Sequence, residues 1–340
     1  KKLEVLDQKR SNAINIGLVH LPKPNAIKTA IMNMDSSVLS REDIEKILTG
    51  MIPTEEEIQK ITELRKANND ANSNRTAETF LETMGSISEL QSRLKLWVFK
   101  LDYDALESEI SDPLYDLKKG MDELKRSKTF KFILSTLLSV GNFLNNTSAP
   151  GFTIDYLTKV TEVKDTVYKH TLLHHLVNLI IDQFPVSGDL YTEISSIVRC
   201  SKIDWEDVKD KLDKLESDCK SSRNHLIAIN KHDPTFLNKH KISDFLTSTM
   251  KRICIVKIVY KRVFNRWVKF LLWLGYTVDE AKNINVKQFC QTLSEFALEF
   301  RTMKEKVQNA RIKKQNMKER KKTRGLMIVQ VGHSVRWLIG

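Results

Sequence analysis

Glycine and proline are scarce in this sequence, at 11 and 7 of 340 residues. A β architecture built on tight turns needs more of both, so a turn-rich sheet protein is disfavoured. Cysteine is scarcer still. The four, at 200, 219, 254 and 290, lie far apart in sequence with no CxxC pair. That argues against a zinc site and a disulfide framework and fits a reducing compartment. No signal peptide is visible, and no uninterrupted apolar run is long enough to span a bilayer. The sequence opens at Lys1 without a methionine, which points to a fragment whose upstream residues are missing.

Familiar chemistry is absent as well. Gly141–Gly151 lacks the Gly-Lys-Ser/Thr ending that grips phosphate, and there is no Gly-x-Ser-x-Gly, HExxH or dinucleotide fingerprint. His170, His174 and His175 in KHTLLHHL invite a metal reading, but no third ligand of suitable type is nearby. Structural histidines are the stronger reading. Asp102, Asp104, Glu107 and Glu109 read as a solvated helix start rather than an acid–base pair. No enzyme, catalytic residue, metal site or cofactor is expected.

What is present is apolar and charged residues in helical order. Apolar content of 41% excludes wholesale disorder. Asp7 stands where it could cap a helix bearing Ile14, Leu18 and Leu21, which Pro22 and Pro24 stop. Ser40 with Asp43 marks a second start, and Pro53 followed by Glu55, Glu56 and Glu57 a third. Helical spacing returns over 76–101 and 114–144.

Three seams follow. Trp205, Val208, Leu212, Leu215, Cys219, Ser222, Leu226 and Ile229 alternate steps of three and four. A second seam runs from Ile242 to Leu274 and ends at Gly275. A third runs from Phe289 to Ala310. Heptad segments joined by short turns are expected to lie antiparallel, and the middle helix alone would be about 50 Å long. The expected order is a helical region to about residue 200, a three-helix coiled coil and a basic tail.

Net charge is +12, and Lys304–Arg324 carries ten Lys/Arg against two Glu. An acidic partner is expected, whether protein, nucleic acid or membrane surface. No recognisable nucleic-acid module accompanies the tail, so a specific nucleic-acid role is disfavoured. A solvated helix and a contact to an acidic protein surface remain as readings.

GNFLNNTSAPGF (141–152) interrupts one of the most apolar stretches, FKFILSTLLSV (130–140). A helix C-cap followed by a turn explains its Gly and Asn, but not Phe143 and Phe152 together. With its continuation TIDYLTKV, and with KDT (164–166) and TLLHHL (171–176), it resembles the signature block of the formin homology 2 domain. VLDQKRSNAINIGL (5–18) is similar to the other marked segment of that family. YLTKVTEVKDT, VFNRWVKFLLWLGYT (263–277) and ERKKTRG (319–325) resemble the FHOD type within it. The likeness runs from about residue 3 to about 324.

That resemblance implies an all-α, elongated actin-binding domain, non-enzymatic, cytoplasmic and associated with the actin cytoskeleton. The implied parts are a knob over about 1–95, post and connecting helices over about 96–200, and an antiparallel three-helix coiled coil over about 201–310. A basic tail over about 304–324 follows, then an atypical tail over 325–340. The family binds filament barbed ends and, as a head-to-tail ring dimer, nucleates, processively caps or bundles filaments. The carry-over makes Ile16 and Lys164 actin contacts. It makes Gly141, Asn142, Phe143, Asn145, Gly151 and Phe152 the post pocket for the lasso of a second formin subunit. Ile16 also lies off the Ile14 stripe by about 200°, as an exposed contact should.

The sequence departs from the pattern in four ways. No tryptophan-rich lasso precedes Lys1, so a monomer is expected. NNTSAP is shorter than in many formins. No polyproline segment is included, so recruitment of profilin–actin is not expected from this chain. LMIVQVGHSVRWLIG (326–340) is not the polar continuation expected. The competing reading is a helical scaffold that binds another acidic partner through its coiled coil and basic tail.

Overall fold

The computed structural model describes residues 6–67, 76–234 and 236–336, with side chains described except at 64–67 and 323–336. Helices dominate. Among the described residues there is no strand, only an isolated bridge between Lys164 and Thr171. Two compact units interleave along the sequence. Unit 1 comprises Lys1–Ser111 and Glu206–Val259, and unit 2 comprises Asp112–Trp205 and Tyr260–Gly340.

Unit 1 begins with α1 (Gln8–Leu18), α2 (Pro24–Asn33), α3 (Arg41–Gly50), α4 (Glu55–Ala67) and α5 (Thr76–Gly85). Their starts are written locally. Ser40 and Asp43 form a reciprocal capping box on α3, with Asp43 N–H donating to Ser40 Oγ at 3.2 Å. Thr54 and Glu57 do the same for α4. Pro24 does more than stop α1. It is the first residue of α2, where its fixed φ suits the helix and its missing N–H loses nothing. Asp7 stands at the N-cap of α1 but makes no capping bond. The apolar faces bury Ile14, Ile27, Ile31, Ile44, Phe80 and Leu81, with α5 packed on α1, α2 and α4.

Helix α6 (Leu90–Arg126) runs on through Pro113, bridging the gap between the helical stretches read over 76–101 and 114–144. Proline deletes one backbone hydrogen bond there, but Ile110, Leu114 and Leu117 keep a buried stripe on both sides of it. Asp102, Glu107 and Glu109 therefore lie inside a long helix. They are not a solvated helix start. Each has a partner: Arg41, Arg252 and Lys211 respectively, at 2.9, 2.7 and 2.9 Å.

Unit 2 adds α7 (Lys128–Asn145), α8 (Tyr156–Glu162), α9 (Leu172–Gln183), α10 (Leu190–Glu193) and α11 (Ser195–Cys200). Ser127 caps α7 and Thr171 caps α9 through their hydroxyls. Leu173, Leu176, Val177 and Ile180 bury the inner face of α9, which packs on α7.

The first seam forms α12 (Trp205–His232), and all eight of its positions are buried. The second forms α13 (Lys239–Trp273), which Gly275 terminates at φ 98°. A capping box on Thr277 opens α14 (Val278–Asn283), and α15 (Val286–Arg336) carries the third seam. The three seams divide between the two units. Within unit 1, α12 runs antiparallel to α13, with Lys257 paired to Glu216 and Asp213. The third helix against them is α6, through Tyr103 edge-on to Phe245 and the Glu107–Arg252 and Glu109–Lys211 pairs. The seam of α15 belongs to unit 2, where Phe289 meets Trp267 and the helix packs on α8, α9, α10 and α11. Heptad spacing specifies a buried stripe but not which stripe covers it.

Candidate functional site

Ile16 stands on α1 in unit 1. Ile14 is fully buried, whereas Ile16 is 73% exposed, with Val19 equally open one turn on. The sequence signal for Val19 was its i+3 spacing from Ile16, which puts both on one face. Below this face α1 is held tightly. Arg10 donates to Gly50 O and Ile52 O, at the junction of α3 and α4, and to Glu57 at 2.9 Å. Gly17 lies so close to α3's end that a Cβ there would come within 2.9 Å of Met51 Sδ. An apolar pair is thus presented to solvent on a rigid mount.

In unit 2 the segment 141–152 divides into a helix end and a loop. Asn146 adopts a left-handed conformation, φ 49°, and closes α7. Thr147 N–H donates to Asn142 O at 3.0 Å, and Asn146 N–H to Phe143 O at 3.4 Å, the paired bonds of a Schellman motif. Asn142 then clamps the loop. Its Nδ2 donates to Ala149 O, and its Oδ1 accepts from Ala149 N–H, both at 3.0 Å. A single carboxamide satisfies both backbone groups of Ala149, so the loop is fixed without apolar packing.

Phe143, at 85% exposed, and Leu144 are left facing solvent from the last turn of α7. They wall a groove of about 320 Å³ together with Thr136 and Val140 on α7, Leu179 on α9 and Phe184. Of the six pocket residues expected from the sequence, Phe143 alone lines this groove. Phe152 turns instead onto Tyr156, ring centroids 5.8 Å apart, and Asn145 is exposed. Around Gly141 and Gly151 an added Cβ would meet nothing within 4 Å. Among the described residues nothing makes a close approach to these two glycines. Leu179 and Phe184 lie more than thirty residues beyond Phe143, so local pattern could not reveal them.

Lys164 stands exposed on a short hairpin joining α8 to α9 in unit 2. Leu172 N–H donates to Val163 O at 2.8 Å and Asp165 N–H to His170 O at 2.9 Å. Asp165 braces the turn: Oδ1 accepts the amides of Tyr168 and Lys169, and Oδ2 lies 2.9 Å from His175 Nε2. The His175 contact, then those amides, hold its carboxyl down at about 2. Val167 and Tyr168 are exposed at the tip, apolar company for Lys164 that the sequence reading missed.

The histidines form a stack rather than a ligand set. His170 and His174 lie 4.2 Å apart nearly parallel, and His174 meets His175 edge-on. Burial, then His170, His175 and Lys306, push the His174 imidazole below its ordinary value. Among the described residues no group of three or more His, Cys, Asp or Glu is placed to hold a metal ion. All four cysteines are free, although Cys200 and Cys290, ninety residues apart, meet in the core of unit 2.

The sequence profile of the Formin Homology 2 Domain family matches residues 1–301. The chain is 51% identical over 332 residues to FH1/FH2 domain-containing protein 3 of Mus musculus, covering 98% of this chain and 21% of that protein. It is 48% identical over 326 residues to FH1/FH2 domain-containing protein 1 of Homo sapiens, covering 96% and 28%. Protein diaphanous of Drosophila melanogaster is 30% identical over 227 residues, 64% of this chain and 20% of that protein. The chain thus spans less than a third of the length of each of these relatives.

Proposed function

The chain belongs to the formin homology 2 family, and from that premise we propose that it is an actin-binding unit acting at filament barbed ends. The observation that carries the reading is the exposed Ile16–Val19 pair on a helix whose other side is pinned by Arg10. An apolar pair held open on a pinned helix suits insertion into an apolar cleft, because the backbone that carries it is already ordered before binding. Lys164 supplies a second, electrostatic contact to an acidic actin surface. Chemistry plays no part in this activity, which is association alone. The place of action is the cytoplasmic actin cytoskeleton.

The groove beside Phe143 is proposed to receive an apolar segment of a second copy, with Gly141 and Gly151 giving that segment room against the backbone. As an assembled dimer the domain nucleates, processively caps or bundles filaments. Co-sedimentation with actin filaments and inhibition of seeded barbed-end elongation test the reading. Absence of both effects would leave the competing one, a helical scaffold for another acidic partner, favoured by the basic surface of α15.

A further inference from the structure

The hairpin between α8 and α9 shows solvent more apolar surface than its turn requires. Val167 and Tyr168, neighbours at the tip, are 75% and 74% exposed, and Val163 at the base is half open as well. One exposed aliphatic is ordinary, but three on one short hairpin form a patch. The turn itself does not call for them. What closes it is Asp165, whose Oδ1 accepts the amides of Tyr168 and Lys169, and polar residues at the tip would close it as well.

The tip is held in one conformation. Lys169 is left-handed, φ 54°, which a lysine adopts at a cost and which the bonds to Asp165 sustain. The Tyr168 ring stacks on His170, centroids 6.0 Å apart, and His170 stacks on His174 of α9 at 4.2 Å. Tyr168 is thus exposed and yet seated, at the outer end of an aromatic column that stands on a helix. Charge at the tip has one sign to offer. Asp165 is the one carboxylate between 163 and 172, and it is engaged by the turn amides and by His175. Lys164 and Lys169 have no carboxylate partner among the described residues.

We infer that Tyr168 and Val167 are the apolar anchors of the contact that the sequence assigns to Lys164, and that they fit an apolar notch bordered by carboxylates. The inference rests on the actin reading above and deepens it: at this hairpin the contact with actin is apolar first and electrostatic second. Tyrosine brings large contact area with few rotatable bonds, and a ring already seated loses little freedom on binding. An ion pair at an exposed rim adds little to affinity, so the lysines serve mainly to steer the approach. An acidic surface without a notch would engage the lysines and leave the tip bare.

The test is co-sedimentation of the whole chain with actin filaments across a salt series. Tyr168→Ser should lose at least about tenfold in affinity, and Val167→Ser about threefold. Neither changes charge, so each loss should be the same at every salt concentration. Lys164→Ala should bind more weakly at low salt and converge on wild type as salt rises. Val278→Ser, at another exposed valine of unit 2, should bind as wild type does. Hydrogen exchange at Tyr168 and Lys169 shows whether the turn survives. Should Tyr168→Ser open it, Val167→Ser decides, because Val167 stands outside the aromatic column. Wild-type affinity in both tip variants, with Ile16→Ala impaired, would overturn the inference and leave the actin reading standing. A tip loss that disappears at high salt would overturn it too. Absence of binding by the wild type would remove the actin reading itself, and the inference with it.

Discussion

Asp165 Oδ2 and His175 Nε2 lie 2.9 Å apart, tying the hairpin that carries Lys164 to α9. The same carboxylate accepts two turn amides, so one side chain sets the conformation of the whole tip. Lys164→Asp should weaken barbed-end binding by charge reversal, and the wild-type affinity should itself fall with salt. Asp165→Ala should loosen the tip, seen as faster hydrogen exchange at Tyr168 and Lys169, while the melting temperature hardly moves. Unchanged elongation inhibition by Lys164→Asp would remove that lysine from the site.

His174 gives a pH dependence whose sign is fixed by burial. Its folded value lies below the unfolded one, so acid favours the unfolded chain, which takes the proton first. The stabilisation is complete above pH about 6.5 and is lost as pH falls through the folded value. His174→Gln should flatten melting temperature between pH 7.5 and 5 relative to wild type. Asp165 works lower down: its contribution is present above about pH 4 and fades toward its folded value of about 2. Parallel pH curves for wild type and His174→Gln would contradict the first assignment.

Ile14 and Ile16 are two residues apart and should respond oppositely. Ile16→Ala removes an exposed side chain. It should leave the melt unchanged and reduce actin affinity roughly ten- to a hundredfold, the worth of about 1.5–3 kcal/mol of apolar burial. Ile14→Ala empties a fully buried site and should destabilise the fold by about 2–5 kcal/mol. Val19→Ala should resemble Ile16→Ala. A Tm drop for Ile16→Ala without altered actin binding would make it a packing residue.

Phe143→Asp places a charge on the exposed rim of the groove and should not disturb folding. Sedimentation equilibrium of a chain carrying upstream lasso residues should show a dimer that Phe143→Asp and Gly151→Trp each weaken. Space at Gly151 means the tryptophan itself is tolerated by this chain, so any loss of dimer reports the partner's segment. A dimer insensitive to both would move the interface elsewhere.

Much of this fold is legible in the sequence, for reasons of range. Ser40–Asp43 needs only three residues to show a helix start, and the seam of α12 reads correctly because a buried stripe is a local periodicity. Pairing is not local. Nothing between 201 and 310 could reveal that α6 covers α12 and α13, since Glu107–Arg252 joins residues 145 apart. The gap between the helical stretches 76–101 and 114–144 closes for a similar reason, because buried residues on both sides of Pro113 outweigh one lost hydrogen bond. At the candidate site the signature located Phe143 and left Leu179 and Phe184 unseen. Asn142 was named as a pocket residue, but its bond to Ala149 depends on a left-handed turn at Asn146 that only the backbone shows.

The interleaving of the two units has a consequence for how the chain is made. No single cut of the backbone leaves both whole: one anywhere from 112 to 259 severs both, and one elsewhere severs one of them. Emerging from the ribosome, residues 1–111 must wait for 206–259 before their helices are covered. Residues 112–205 are covered later still, once the segment beyond 260 is released. Unit 1 can therefore close while half of unit 2 still exposes apolar faces. During that interval synthesis itself, through its direction and speed, sets the order of assembly, and a chaperone meeting this chain would find α7 and α9 bare last.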